Sequence, residues 1–317
     1  MPTTHTAVNP VRSGLAKRFW QYLKERFPIQ NHGLLILVFT FSVISYSLRL
    51  RGETSFISTG AFLGAIASNL VLFFVLRVMD EFKDAETDAA FRSHLPVPRG
   101  LIRLKELAII AVIVAILHFV GLLVWFPEMM GLYLVVVGYL FLMRYEFFVG
   151  EWLTRRPVIY AWSHMLIIPL VDVFAAGFDW RMSGEFPHPG LGIFFLVSLF
   201  NGMVLEIGRK IRIPQDEAEG VITYSAQYGH GKALGMWALM LLGTFCFACW
   251  AGLFVEFSWV WFALLTVCFG AALAVGFRFY QSPTSKGAKA IERVSGIWAL
   301  GMYLLLGAGP QLMSLLA

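Results

Sequence analysis

Five acidic residues lie close together in the stretch 76–100, directly after a long apolar run. If the helix formed by that run continues, Asp80, Asp84 and Asp88 recur every four residues and lie along one face. Carboxylates about 6 Å apart repel each other by roughly 1 to 3 kcal/mol, so this face attracts a cation. Oxygen ligands at this spacing suit Mg²⁺, which takes one or two carboxylates, several waters and substrate phosphate oxygens. The alternative is a solvated helix end whose acids pair with Lys83 and Arg92.

A second set of charged residues lies in the stretch 201–229. Asn201 and Glu206 fall near the end of an apolar run, where ionisable groups are costly unless they face the inside of a helical bundle. Basic and then acidic residues follow: Arg209, Lys210, Arg212, Asp216, Glu217 and Glu219. Such a cluster can bind metal through its carboxylates and diphosphate oxygens through its cations. The alternative is a salt-bridged loop with a helix that starts near Asp216.

Membrane-spanning helices must position both clusters. The 317 residues are 58% hydrophobic and 14% charged, with a mean hydropathy of +0.70, which is too apolar for a soluble protein. A helix of about 20 residues crosses the hydrocarbon core. The apolar runs of suitable length are 34–50, 57–79, 102–126, 129–149, 158–178, 190–208, 233–255, 258–279 and 294–316. The alternation of a β-barrel is absent, so we expect an all-α polytopic membrane protein with nine transmembrane helices.

The basic residues indicate the orientation. If the N-terminus is cytoplasmic, all of the 25 lysines and arginines except Arg49, Arg51 and Arg181 lie on the cytoplasmic side. Both charged clusters then lie at cytoplasmic ends of helices, after the second and the sixth span. The net charge of +5 reflects a basic rim that faces anionic lipid, and no nucleic-acid partner is expected.

The first thirty residues lack the apolar core and cleavage site of a signal peptide. Within them, apolar residues such as Phe19, Leu23 and Phe27 alternate with basic residues at helical spacing, which is typical of an amphipathic helix on a membrane surface. We therefore expect a cytoplasmic N-terminal segment over 1–30 and a single nine-helix transmembrane domain over 31–317.

Two acidic clusters at the ends of helices two and six of a nine-helix membrane protein resemble the UbiA superfamily of intramembrane prenyltransferases. The first family motif is Asn-Asp-x-x-Asp-x-x-x-Asp, followed by Pro-x-Pro-x-Gly; the matching positions are Asp80, Glu81, Asp84, Asp88, Pro96, Pro98 and Gly100. The second motif is Asp-x-x-x-Asp-x-x-x-Gly-x-x-Thr with a later glycine; the matching positions are Asp216, Gly220, Thr223 and Gly229. The chain departs from the first motif at Asp80, where the family has Asn, and at Glu81, where it has Asp. In the second motif, Arg212 stands where the family has its first Asp, and Glu206 is the candidate to supply that carboxylate.

The resemblance implies a UbiA-like bundle with a cytoplasm-facing pocket that binds Mg²⁺ and an isoprenyl diphosphate. The implied catalytic and metal-binding residues are Asp80, Glu81, Asp84 and Asp216, with Asp88 in support and Glu206 as a further metal ligand. The implied substrate-binding residues are Lys83, Arg92, Arg209, Lys210, Arg212, Tyr145 and Asn201. The expected activity, part of isoprenoid biosynthesis, is transfer of an isoprenyl group to a small, aromatic or ring-containing acceptor in a bacterial-type cytoplasmic membrane.

Two other functions stay open. The altered second motif fits a UbiA-type membrane terpene cyclase, in which the substrate's own double bonds capture the cation. Intramembrane acids also mark ion pathways, so an ion-binding transporter is the second alternative. Two buried polar residues are further candidates, because His164 could accept a proton and Asp172 could contact the acceptor. The acceptor, the prenyl chain length and the oligomeric state do not follow from the sequence.

Overall fold

The computed structural model describes residues 14–217, 219–309 and 311. Within these residues the chain consists of helices, turns and loops, without a strand. The helices are α1 (Leu15–Arg26), α2 (Ile29–Leu50), α3 (Thr59–Lys83), α4 (Ala85–Phe91), α5 (Leu104–Trp125), α6 (Met130–Arg144), α7 (Gly150–Thr154), α8 (Pro157–Met165), α9 (Ile167–Trp180), α10 (Gly190–Gly208), α11 (Tyr224–Tyr228), α12 (His230–Phe254), α13 (Trp259–Gln281) and α14 (Ser285–Tyr303).

Nine helical segments of the described chain are long and apolar enough to cross a membrane, which confirms the all-α polytopic prediction. They are Ile29–Leu50, Thr59–Lys83, Leu104–Trp125, Pro127–Arg144, Pro157–Trp180, Gly190–Gly208, His230–Phe254, Trp259–Gln281 and Ser285–Ala308. The predicted N-terminal segment before residue 14, and the predicted last span beyond residue 311, lie outside the described residues. The predicted division into 1–30 and 31–317 stays a prediction.

Some span boundaries differ from those expected. The last span begins at Ser285 and not at residue 294, because a charged helical start precedes its apolar part. The fourth ends at Arg144 and not at residue 149, because three residues from Glu146 to Phe148 adopt positive φ angles. The fifth is broken between α8 and α9, since Pro169 has no N–H to donate to the carbonyl of Met165.

The chain forms two compact units, each with its own packing. Unit 1 runs to Ile36 and resumes from Ala67 to Trp125, whereas unit 2 contains Leu37–Ile66 and the chain from Phe126 onward. The first acidic cluster belongs to unit 1 and the second to unit 2.

Helix α1 packs into the core of unit 1. Tyr22 and Phe27 are buried there together with Phe74 and Leu107, and Phe19 packs against the same core. The amphipathic helix predicted from the sequence is therefore present, and part of its apolar face contacts protein. In contrast, much of α5 exposes large apolar side chains, such as Leu117, which suits contact with lipid tails.

Helix α10 is the centre of unit 2 and packs against α12, α14 and α9. After α14 the chain makes a π-helical turn, Leu304–Ala308, in which Gly307 lies against the backbone of Ser42. A Cβ atom at residue 307 would overlap the Ser42 carbonyl group. Only glycine allows these two segments to approach so closely.

Candidate active site

The first acidic motif lies where α3 passes into α4. The chain bends at Asp84 (φ −88°, ψ 2°), so the helix does not continue unbroken as the stripe prediction assumed. Backbone hydrogen bonds still connect the motif residues: Asp84 N–H donates to the Asp80 carbonyl at 2.9 Å and Asp88 N–H donates to the Asp84 carbonyl at 2.7 Å. The spacing of four residues therefore places the three aspartates on successive turns despite the bend.

Asp80 and Asp84 are the two motif acids that remain accessible. The side chain of Asp80 is 46% exposed, and its Oδ2 lies 3.8 Å from Arg77. Asp84 is half-buried, and within the described residues its carboxylate has neither a hydrogen bond nor an ion pair. Both side chains are therefore partly open to solvent.

Glu81 is buried and already paired with protein cations. Its Oε1 accepts hydrogen bonds from Arg26 Nε at 2.7 Å and from Arg77 Nη2 at 2.6 Å, and its side chain is 1% exposed. The Tyr22 hydroxyl lies 3.4 Å from the same oxygen. Burial raises the pKa of the Tyr22 phenol, so it stays protonated and can donate to the carboxylate. Glu81 thus holds two guanidinium groups where the resemblance implied a metal ligand.

Asp88 is in a similar position. Its side chain is 2% exposed, and Oδ1 accepts a hydrogen bond from Arg92 Nη1 at 2.9 Å. Oδ2 lies 3.8 Å from Arg26 Nη2, so one guanidinium group of α1 approaches both buried acids of the motif. The alternative predicted from the sequence, pairing of the acids with local basic residues, therefore describes Asp88 and Arg92 well.

The Pro-x-Pro-x-Gly segment forms the tight turn that leads into α5. Leu101 N–H donates to the Pro96 carbonyl at 2.9 Å, and Gly100 has a φ of +77°, a conformation that favours glycine. Arg99 in this turn makes a bidentate ion pair with Glu25 of α1, at 2.7 and 2.8 Å. The turn and α1 are thus tied together beside the motif.

The donors of the first motif fit Mg²⁺. Nowhere in the described chain do three or more His, Cys, Asp or Glu side chains form a ready metal cage. Mg²⁺ rarely uses such a cage, since it takes one or two carboxylates and completes its shell with waters and phosphate oxygens. Asp80 and Asp84, both partly exposed and one helical turn apart, are a donor set of that kind.

In unit 2, Glu206 lies near the end of α10 and is engaged by basic residues. Lys210 Nζ is 2.6 Å from Oε1, and Arg209 donates from Nε to Oε2 at 2.8 Å. The Glu206 side chain is only 7% exposed, whereas that of Arg209 is 59% exposed. Glu206 therefore orients two cations whose outer surfaces remain accessible to an anion.

The second motif forms a loop held by its own side chains. Thr223 donates to both carboxylate oxygens of Glu217, at 2.7 and 2.8 Å, and accepts from Ala226 N–H at 3.1 Å as the N-cap of α11. Gly220 and Gly229 have φ angles of +74° and +80°, which explains why glycine stands at these positions. Asp216 is exposed and has no ion pair within the described residues, so its carboxylate is accessible.

The remaining predicted substrate residues have varied surroundings. Arg212 pairs with Glu292 at 3.1 Å, and Lys83 is exposed at the end of α3. Tyr145 is 52% exposed and lies among Phe141 and Phe148, not against any described residue of the second motif. Asn201 is 2% exposed, and neither atom of its amide group has a hydrogen-bond partner in the described part of the chain.

A second polar cluster in unit 2 is built around Glu146 and contains His164, which the sequence singled out, although the contact between the two was not predicted. The Tyr160 hydroxyl donates to Glu146 Oε1 at 2.9 Å, and His164 Nε2 lies 3.6 Å from Oε2. Glu146, Phe147 and Phe148 have three consecutive positive φ angles, and this turn positions the Glu146 carboxylate beside Tyr160 and His164. No glycine marks the turn, so the sequence gives no signal for it.

Asp172 is fully buried in α9, close to Ser198 and Tyr303. Its carboxylate has no hydrogen bond of standard geometry to any described residue. The sequence singled out this residue because a carboxylate deep in a span needs a partner or must be neutral.

Comparison with known proteins agrees with this architecture. The model of the UbiA prenyltransferase family matches residues 26–305. A solved structure from work on digeranylgeranylglyceryl phosphate synthase in membranes is similar with a TM-score of 0.65 and 18% sequence identity, covering 92% of this chain and 99% of that one. That likeness concerns the fold alone. No curated protein is similar enough in sequence to be matched. Since the family match contains both acidic motifs and most of the chain, the protein belongs to the UbiA prenyltransferase family.

Proposed function

We propose that the protein transfers an isoprenyl group from an isoprenyl diphosphate to a small, ring-containing acceptor, with Mg²⁺ assisting the departure of diphosphate. The observation that carries the proposal is the division of the motif acids. Asp80, Asp84 and Asp216 remain accessible, as metal ligands must, within a chain that belongs to a prenyltransferase family. Glu81, Asp88 and Glu206 are occupied by arginine and lysine and support the site indirectly.

Metal ligation in this proposal rests on Asp80 and Asp84 in the first motif and on Asp216 in the second. When bound, Mg²⁺ neutralises the negative charge of the leaving diphosphate. Arg209 and Lys210 present cationic groups that Glu206 holds in place, and they bind diphosphate oxygens. Lys83, Arg92 and Arg212 are further candidates for such contacts.

The reaction breaks the bond between the allylic carbon and the diphosphate oxygen, and its electron pair leaves with the diphosphate. An electron pair of the acceptor forms the new bond to that carbon, and the acceptor then loses a proton. Electrostatic stabilisation of the departing group by oriented cations is the main contribution that these side chains make.

We place this chemistry on the cytoplasmic side of a bacterial-type cytoplasmic membrane, with a cytoplasmic N-terminus. The distribution of lysine and arginine supports this orientation. The apolar spans supply the surroundings that a prenyl chain requires.

The test uses purified protein in lipid nanodiscs with isoprenyl diphosphates of several chain lengths, with and without Mg²⁺. The acceptor panel contains ring compounds and also a glyceryl phosphate, the acceptor type that the name of the structural neighbour suggests. We expect Mg²⁺-dependent release of diphosphate together with a prenylated product. Asp84→Asn should lower the rate by at least about 100-fold, because it removes a charge that holds the metal at the leaving group.

Glu86→Gln is the matched control, since Glu86 is exposed, lies two residues further on and stands outside the motif. Its rate should equal that of the wild type. Full activity of Asp84→Asn, or the absence of Mg²⁺-dependent diphosphate release across the panel, would refute the proposal. Hydrocarbon or terpene alcohol products formed without an acceptor would show that the protein is a terpene cyclase and not a transferase.

A further inference from the structure

The first motif contains more fixed positive charge than a site built only for metal would need. Three of its four carboxylates, those of Asp80, Glu81 and Asp88, lie within 4 Å of guanidinium groups. These groups belong to Arg26, Arg77 and Arg92. Arg77 and Arg92 are local, at spacings of three or four residues from their partners. Arg26 is different, because it comes from α1 and reaches acids that lie 55 or more residues away.

Arg26 is also the residue that joins the two buried acids. Its Nε donates to Glu81 at 2.7 Å, and its Nη2 lies 3.8 Å from Asp88 Oδ2. The Arg26 side chain is only 18% exposed, so water screens its charge only in part. Helix α1 is fixed at two further points, by the pair of Arg18 with Glu106 and by the pair of Glu25 with Arg99. The guanidinium group is therefore held in place and not tethered by a flexible arm.

We propose that Arg26 is a positioning residue that keeps Glu81 and Asp88 out of metal coordination and makes divalent-ion binding at this motif depend on the diphosphate. This inference rests on the proposed function. With Arg26 present, the charges of Glu81 and Asp88 are largely neutralised, so a divalent ion that binds without diphosphate gains little electrostatic free energy. It binds when diphosphate oxygens complete its shell beside Asp80 and Asp84. Substrate and metal therefore bind together, and the free protein does not fill its site with cations.

The test measures metal binding and not turnover. Wild-type protein in nanodiscs is dialysed to equilibrium against Mn²⁺, with or without inorganic diphosphate, and the retained metal is determined. We expect little retained Mn²⁺ without diphosphate and clear binding with it. Arg26→Gln should bind Mn²⁺ without diphosphate at least about tenfold more tightly than the wild type, because one nearby positive charge is lost. Arg26→Lys should restore the dependence on diphosphate.

Arg18→Gln is the matched control, because it loosens the same helix through a partner, Glu106, that lies outside the motif. It should bind Mn²⁺ as the wild type does. Arg26→Gln combined with Glu81→Gln keeps the net charge and removes both partners of the buried pair. This double variant should regain the diphosphate dependence, and it also serves if Arg26→Gln alone fails to fold.

The inference would be overturned if Arg26→Gln bound Mn²⁺ as weakly without diphosphate as the wild type does. Loss of all Mn²⁺ binding in the double variant would also overturn it, because Glu81 would then be a metal ligand. Failure of the wild type to bind Mn²⁺ even with diphosphate would instead contradict the proposed function. The two failures are therefore distinguishable.

Discussion

At the scale of single residues, the acids of the two motifs divide into accessible and occupied groups. The spacing of Asp80, Asp84 and Asp88 was visible in the sequence, and so was the cluster around Glu206. The pair of Asp88 with Arg92 was also readable from its spacing, whereas the pair of Glu81 with Arg26 was not, because Arg26 lies 55 residues before Glu81 in the chain. A pattern of local spacing carries no information on partners that only the folded chain brings together.

One experiment distinguishes the roles of Glu206 and Asp216 in metal binding. Glu206→Gln should leave the Mg²⁺ concentration for half-maximal activity unchanged within about twofold, because Lys210 and Arg209 already occupy its carboxylate. Asp216→Asn should raise that concentration at least about tenfold, since it removes an accessible ligand. A Mg²⁺ titration of prenyl transfer measures both. An equal rise in Glu206→Gln would show that Glu206 does replace the missing aspartate, as the sequence suggested.

At the scale of elements, the spans followed from their apolar lengths, whereas the breaks between them depend on particular residues. Pro169 accounts for the break between α8 and α9 and was readable in the sequence. The left-handed turn at Glu146, Phe147 and Phe148 could not be predicted from the sequence, because residues other than glycine rarely adopt positive φ angles. Such a conformation costs roughly 1–2 kcal/mol per residue. Packing must supply that energy, and packing is a property of the folded unit.

The contact between Gly307 and Ser42 leads to a stability prediction for the end of the last span. Gly307→Ala should destabilise the protein by about 1–3 kcal/mol, because the added methyl group overlaps backbone that has to move. Gly301→Ala is the matched control: it lies in α14, where a Cβ would meet nothing within 4 Å. Thermal unfolding in the same detergent compares the two variants. Equal midpoints for both would contradict the close packing described for Gly307.

At the scale of the whole molecule, composition and apolar runs were enough to predict the nine spans found among the described residues. The family fold was expected from the resemblance that the two acidic motifs carry. Lipid is the reason: each span must satisfy its backbone internally, so length and hydropathy suffice to locate it. The sidedness proposed from basic residues is open to a direct measurement.

Single cysteines report the sidedness. After replacement of Cys246, Cys249 and Cys268 by alanine, Glu185→Cys should react with a membrane-impermeant maleimide in intact bacterial spheroplasts. Gln215→Cys should react only after permeabilisation, because the rule for positive residues places the second motif inside. Both positions are exposed, so access across the membrane alone decides the result. The reverse pattern would place the acidic motifs on the outer side.

The ion pairs of α1 also set the order in which the protein can be built. Its anchors are Glu81, Arg99 and Glu106, which follow their partners by 55, 74 and 88 residues. A ribosome makes α1 before any of these partners, and the full set exists only once the chain through Glu106 has been synthesised. Until then, α1 lacks at least one of its ion pairs. Helix α1 is therefore among the last parts of its unit to be fixed during biogenesis, although it is made before its partners.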